Sequence, residues 1–329
     1  MGRKYLSLVV VLLLAAWGDV VMADKASAGS TVEIVRGEVS SDIVPSPVAY
    51  ALLAPPGFRQ MKDLPLVLNL HGGGGNRERL VEQAPMWGKL WHEGTIVPAI
   101  VVMPSVTERG FYMNFRDGSE RWEDFITGPL IAYLQKTYPA SANPKKIFLM
   151  GASMGGMGSL RMAFRHPERF GAVAALEPGI EPILSWDEMK PKHRFWRGDA
   201  LMHQAYGDPI DKAFWADNNP ASIVTRDAER IRASGLQVYI DAGDEDQFWL
   251  YEGAEFLHRV LWDYKVKHEY HLVRGGDHVG PSLGPRHIEA ITFLFRSLQP
   301  WQETPRMKMV DRMLDPLKAR IEGKDHYNE

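Results

Sequence analysis

Between Ile147 and Gly156 the chain reads Ile-Phe-Leu-Met-Gly-Ala-Ser-Met-Gly-Gly, four apolar residues running into a G-x-S-x-G pattern. An apolar strand that breaks at once into a helix turns so sharply that its middle residue stands clear of the backbone, which presents the Ser153 hydroxyl to a substrate. Gly151 and Gly155 flank this turn, where a β-carbon would collide with neighbouring chain. The pattern alone is common. Here it sits between a hydrophobic strand and the helix-forming run Met157 to Arg165, and that context selects an α/β architecture with a serine nucleophile.

The rest of the chain supplies the matching alternation. Thr31 to Val39, Val48 to Leu53, Leu64 to Leu70, Ala99 to Met103, Lys146 to Met150, Ala172 to Leu176, Gln237 to Ile240 and Glu269 to Val273 read as strands. The later six are short apolar runs, as a parallel sheet buried on both faces requires. Helical patterns lie between them at Arg77 to Trp91, Arg121 to Thr137, Met154 to His166, Asp227 to Ala233 and Tyr251 to Tyr264. Strand–helix alternation predicts one α/β domain over residues 24–300, a mostly parallel sheet with helices on both faces. Residues 178–225 break the rhythm with Trp186, His193, Phe195, Trp196, His203, Tyr206, Phe214 and Trp215. An insertion between two core strands lies over their carboxyl ends, where ligands bind in open sheets, so a lid-like role is expected. The bland reading is a surface excursion with its own small core. Residues 301–329 are charged, with Met307, Val310, Met313, Leu314 and Leu317 at helical spacing, and predict a packed helix with a frayed end.

Export shapes the remaining expectations. Arg3 and Lys4, the apolar Leu6 to Trp17, and Val21-Met-Ala23 form the three parts of a signal peptide over residues 1–23. Cleavage is placed after Ala23, with Ala28 the second choice, and the apolar segment is shorter than the roughly 20 residues of a membrane span. A secreted or periplasmic protein follows, with no stable span after cleavage. The chain has no cysteine, which excludes a disulfide, a thiol nucleophile and any cysteine-ligated metal. No metal or other cofactor is expected. A net charge of −3 offers no basic field for nucleic acid.

A serine hydroxyl needs a base within hydrogen-bond reach and an acid behind that base. His278, in Arg274-Gly-Gly-Asp-His-Val-Gly-Pro281, follows the last strand on a loop loose enough to curl over the sheet. His71 also ends a strand, but the four glycines after it suggest a backbone role, and His166 looks structural at a helix end. The acid belongs to Val238-Tyr-Ile-Asp-Ala-Gly-Asp-Glu-Asp-Gln-Phe248, which offers Asp241, Asp244, Glu245 and Asp246; Glu177 is an outside candidate. Position alone leaves these open, although Asp246 follows the Gly243 bend with Phe248 to shield it. Leu70-His-Gly-Gly-Gly-Gly-Asn76 can aim backbone N–H groups at a developing oxyanion, and the N–H of Met154 is the second donor. A phosphate cradle is disfavoured because neither G-K-[ST] nor G-x-G-x-x-G is present. Trp186, Trp215 and Phe248 are the candidate substrate-binding aromatics. The order serine, acid, histidine is that of α/β-hydrolases.

Taken together, Pro65-Leu-Val-Leu-Asn-Leu-His-Gly-Gly-Gly74, Phe111-Tyr-Met-Asn114, Trp122-Glu-Asp-Phe125, Gly151-Ala-Ser-Met-Gly-Gly156, Gly243-Asp-Glu-Asp-Gln-Phe248 and Gly276-Asp-His278 give the chain a resemblance. It resembles the esterase D and antigen 85 group of α/β-hydrolases over most of residues 44–298. The resemblance implies Ser153 as nucleophile, His278 as base and, from a G-x-x-D-x-F pattern, Asp246 as acid. It implies Gly73 and Met154 as oxyanion donors and a structural role for Trp122 to Phe125. There are departures. The S-formylglutathione hydrolases carry S-G-L-T-C where this chain has His71 to Gly75, and the antigen 85-like acyltransferases use a glutamate acid. The expected activity is hydrolysis of a small-molecule or polysaccharide-linked carboxylic ester through an acyl-enzyme. The alternative is acyl transfer to a sugar or lipid alcohol by the same triad.

Overall fold

In the computed structural model, which describes residues 32–107 and 110–321, each of the eight expected strands forms. The strands are β1 (Glu33–Val39), β2 (Val48–Ala54), β3 (Leu66–Leu70), β4 (Ile100–Pro104), β5 (Ile147–Ala152), β6 (Ala172–Leu176), β7 (Gln237–Gly243) and β8 (Glu269–Val273). They join one sheet in the order β1-β2-β4-β3-β5-β6-β7-β8. β2 pairs antiparallel with both β1 and β4, and every pair from β4 to β8 is parallel. Parallel neighbours require a crossover, so helices must cover both faces. The expected signal peptide and its cleavage site lie outside the described residues.

Side-chain alternation shows how the two faces are filled. Along β5, Ile147 and Leu149 point into one core and Phe148 and Met150 into the other, the period-two pattern of a strand. The first core is closed by helices Met154–Arg165, Pro220–Ser234 and Leu250–Asp263, through Leu160, Ile223, Val224 and Leu257. The second is closed by Ala84–His92 and Leu283–Arg296, through Trp87, Leu90, Ile291 and Leu294. Because β5 has apolar neighbours on both sides, its sequence reads as a continuous run rather than an alternating one.

Helix boundaries depart from the sequence expectation at points with local causes. The run Arg77 to Trp91 splits into Glu78–Glu82 and Ala84–His92, with Pro85 in the first turn of the second helix, where a missing N–H is harmless. The run Arg121 to Thr137 is interrupted by a π-helical turn, Ile126–Leu130, around Pro129. The expected helix Asp227 to Ala233 is the second half of Pro220–Ser234, which bends at Asp227 (φ −113°, ψ 15°). Helix Leu283–Arg296 was not anticipated.

Residues 178–225 join the main core instead of forming a small core of their own. They contain helices Asp199–Tyr206 and Lys212–Asn218, whose Met202, Ala205, Tyr206 and Trp215 join the same core as Leu160 and Phe164. The expectation for the tail is also corrected. Helix Pro305–Ile321 forms but buries no residue, and Met313 and Ile321 remain 65% and 86% exposed. Its apolar positions make a narrow stripe, and Trp301 to Thr304 before it are exposed, with the Trp301 ring under the Arg296 guanidinium at 5.0 Å.

The β5 turn shows why glycine is required there. An added Cβ at Gly155 would lie 2.0 Å from the Leu70 carbonyl oxygen, and one at Gly151 would lie 2.6 Å from the Gly155 carbonyl carbon. Both obstacles are backbone, which cannot rotate away. Gly155→Ala is therefore expected to destabilise the fold by about 3 kcal/mol or more, read as a lowered urea midpoint. A midpoint within error of the wild type would contradict this packing.

Candidate active site

The candidate residues gather at the carboxyl edge of the sheet. Ser153 has φ 56° and ψ −117°, left-handed backbone that a non-glycine residue rarely adopts. Its N–H donates to the Leu176 carbonyl at the end of β6 (2.9 Å), and its carbonyl accepts from Met157 (3.0 Å) and Gly179 (3.1 Å). These bonds hold the strained turn from three directions. The next residue, Met154, opens helix Met154–Arg165, so its N–H has no intrahelical acceptor.

The glycine loop after β3 lies against the serine. A Cβ at Gly72 would stand 3.6 Å from Ser153 Cβ, whereas one at Gly73 would meet nothing within 4 Å. The Gly72 carbonyl accepts from His71 Nδ1 (2.8 Å) and from Gly75 N–H (3.1 Å). Since a trans peptide sets C=O and N–H on opposite sides, the Gly73 N–H points away from those partners. His71 Nε2 accepts from Val106 N–H at 3.1 Å, which fixes a neutral ring with its proton on Nδ1; burial pushes its pKa down, reinforcing that state. His71 thus shapes the loop through its side chain as well as its backbone. His166 accepts the structural role expected of it, 2.9 Å from Glu123.

Two loops meet to bring the candidate acid and the candidate base together. A Cβ at Gly243 would lie 2.1 Å from the Gly276 carbonyl oxygen, so glycine allows the ends of β7 and β8 to touch. That approach brings His278 Nδ1 to 2.7 Å from Asp246 Oδ2. Asp246 Oδ1 accepts from Phe248 N–H (2.7 Å), and the His278 N–H donates to Gln247 Oε1 (3.0 Å). Asp246 is 2% exposed and His278 7%. Burial alone would lower the imidazole pKa, but the Asp246 hydrogen bond and the charges of Glu177 and Asp246 outweigh it and raise it. Among the described residues no hydrogen bond joins Ser153 Oγ to His278 Nε2; such bonds are often long until substrate arrives.

The other carboxylates of the β7 loop are engaged elsewhere. Asp241, fully buried, takes Arg286 through Nε (3.2 Å) and Nη2 (2.6 Å). Asp244 accepts from Gly275 N–H (2.6 Å), and Glu245 is exposed. Arg286 Nη1 also donates to Glu177 Oε2 and to the Asp277 carbonyl, both at 2.9 Å. One guanidinium thereby ties β6, β7 and the His278 loop together. Sequence reasoning missed Arg286; the only signal was an arginine one turn before the apolar run Ala290 to Phe295. Glu177, Asp246 and His278 offer ligand atoms within 4.8 Å of one another, but Arg286 already supplies the cation there.

The aromatic candidates separate. Phe248 lies edge-on to His278, with ring centroids 4.6 Å apart, and stacks near Phe195 at 6.4 Å. Phe195 in turn packs on Trp196 and Trp249, each at 5.2 Å, and stands 52% exposed, with Trp249 49% exposed. Trp215 does not belong here. It is 1% exposed and fills the core, with Trp186 packed 5.8 Å from it. The half-exposed aromatic wall beside His278 is therefore Phe248, Phe195, Trp196 and Trp249.

A family model described as "Putative esterase" matches residues 41–282, and the chain belongs to that family of carboxylic ester hydrolases. Its fold is that of α/β-hydrolases of known structure. A ferulic acid esterase shares 20% identity at a TM-score of 0.67, covering 82% of this chain and 99% of its own. A Staphylococcus aureus fluorophosphonate-binding serine hydrolase shares 16% at 0.65, covering 81% and 98%. An S-formylglutathione hydrolase from Agrobacterium tumefaciens shares 20% at 0.62, covering 84% and 96%.

The Arg286 ties also bear on stability. Arg286→Met leaves Glu177 and Asp241 buried without their counter-charge, and removal of one partner from such a group costs about 3–5 kcal/mol. Urea unfolding at neutral pH should register that loss, and an unchanged midpoint would refute the assignment.

Proposed function

We propose that this protein is an exported serine esterase whose catalytic triad is Ser153, His278 and Asp246. The 2.7 Å bond between His278 Nδ1 and Asp246, at the same sheet edge as the strained Ser153, carries the reading. With Nδ1–H donated to the carboxylate, Nε2 is the nitrogen left to accept the serine proton. Ser153 Oγ attacks the ester carbonyl as that proton moves, and the N–H groups of Gly73 and Met154 receive the oxyanion. The Met154 donor stands at a helix N-terminus, whose dipole favours negative charge. His278 then protonates the departing alcohol, and water, activated by the same imidazole, releases the acid.

The wall of Phe248, Phe195, Trp196 and Trp249 supports a substrate with a flat apolar group beside the scissile bond. An ester of an aromatic acid of the ferulic type, with a small alcohol or with polysaccharide, fits that surface. No described helix is long and apolar enough to cross a membrane, and residues 1–23 carry the pattern of an export signal.

Ser153→Ala should lower kcat on p-nitrophenyl esters by at least about 10⁴-fold and abolish fluorophosphonate labelling. Retained hydrolysis would sink the assignment. A panel running from acetyl to hydroxycinnamoyl esters should favour the aromatic acids. Because His278 acts as a base only when neutral, activity should fall as pH drops through its raised pKa. The acid limb of kcat/KM is thus expected at a midpoint above the ordinary histidine value of 6.5; a midpoint below it would contradict the geometry.

A further inference from the structure

The triad uses one carboxylate, yet a second lies against the same imidazole. Glu177 is 1% exposed, its Oε1 stands 3.8 Å from His278 Nδ1, and its Oε2 accepts from Arg286 Nη1 at 2.9 Å. Its backbone has φ 38°, a left-handed value that costs a glutamate about 1–3 kcal/mol and that recurs at functional sites. The Glu177 N–H donates to the Asp241 carbonyl at 2.7 Å, so β7 holds this conformation in place. An ion pair with Arg286 alone would require neither the strain nor the approach to the base.

Resting on the Ser153–His278–Asp246 reading, we propose that Glu177 is a second positioning acid, held by Arg286, whose charge stabilises the His278 imidazolium alongside Asp246. It touches neither the substrate nor the reacting atoms. The groups facing it are Asp246 and Asp241 from β7 and its loop, His278 from the loop after β8, and Arg286 from helix Leu283–Arg296. While His278 is neutral, three carboxylates share one guanidinium, and burial first of all pushes the Glu177 carboxyl up to about 7. Once the serine proton reaches the ring, the new positive charge lies 3.8 Å from Glu177 and favours its ionised form. Asp246 orients the ring through a hydrogen bond; Glu177 acts on its charge without one.

The test compares pH profiles of kcat/KM for the wild type, Glu177→Gln and Glu177→Asp on a neutral p-nitrophenyl ester. Loss of a negative charge beside the base lowers its pKa, so Glu177→Gln should move the acid limb about one pH unit downward. Its plateau kcat should fall severalfold with KM unchanged. Glu177→Asp, which keeps the charge but withdraws it by one methylene, should give an intermediate midpoint. An acid limb in Glu177→Gln that overlays the wild type overturns the proposal. Should Glu177→Gln not fold, the Glu177→Asp limb decides in the same way: a lower midpoint supports it and an unchanged one overturns it. Ser153→Ala separates the two readings. If that variant is inactive while the limb stays fixed, only the role of Glu177 fails. If it remains active, the triad itself fails.

Discussion

The half of the candidate site around His278 and Asp246 depends on one buried cation. Arg286 is 2% exposed and spends its planar fork on Asp241, Glu177 and the Asp277 carbonyl. These partners belong to β7, to the end of β6 and to the loop that carries His278, while Arg286 itself comes from a helix on the second face of the sheet. A guanidinium suits this task because its donors are fixed in one plane and it does not deprotonate. Lysine would supply the charge without the geometry. The arrangement is also self-enforcing, since removal of any member leaves its partners charged in a dry environment.

Ser153 is positioned by a different kind of constraint. Gly155 and Gly151 bring the elbow against the Leu70 carbonyl and against itself at distances that leave no room for a methyl group. Gly243 and Gly276 do the same where the acid and base loops meet. Steric contacts of this sort fix position within tenths of an ångström but carry no charge information. The Arg286 cluster has the opposite character, tolerating small shifts while demanding charge balance. Ser153 is therefore placed by volume, and His278 by volume and charge together, and the two meet at one sheet edge.

This division explains what could be read from the chain. The six inner strands, buried on both faces, leave nearly continuous apolar runs, the edge strands β1 and β8 keep a mixed sequence with one or two half-exposed faces, and G-x-S-x-G exposed the elbow through its glycines. Helix Leu283–Arg296 was hidden because Pro281, Gly284 and Pro285 resemble a breaker and Arg286 and His287 look like surface residues. Both are in fact buried. A buried arginine is recognisable only once its partners are known, and those lie 45 and 109 residues away. The choice of Asp246 among four carboxylates had the same difficulty. Chain position left the choice open, although Asp246 follows the Gly243 bend with Phe248 to shield it, and the resemblance to related esterases singled it out.

Aromatic content misled for a related reason. Trp215 and Phe195 occupy the same insertion, and nothing local distinguishes a ring that fills a core from one that faces solvent. Trp215 falls on a helix against the Leu160 face, whereas Phe195 lies in a turn held by the buried Arg197–Glu181 pair (2.6 Å). Arg197 also places its guanidinium 5.5 Å from the Trp196 ring and 5.2 Å from Phe111, within the range of cation–π attraction. The insertion thus buries one set of aromatics to anchor itself and leaves another half-exposed beside the base. Exposed rings in contact with each other are surface that water covers poorly and a flat ligand covers well. Since Phe195 and Trp196 come from the insertion and Phe248 and Trp249 from the loop after β7, the shape of this aromatic surface can be altered in the insertion without disturbing the charges around His278.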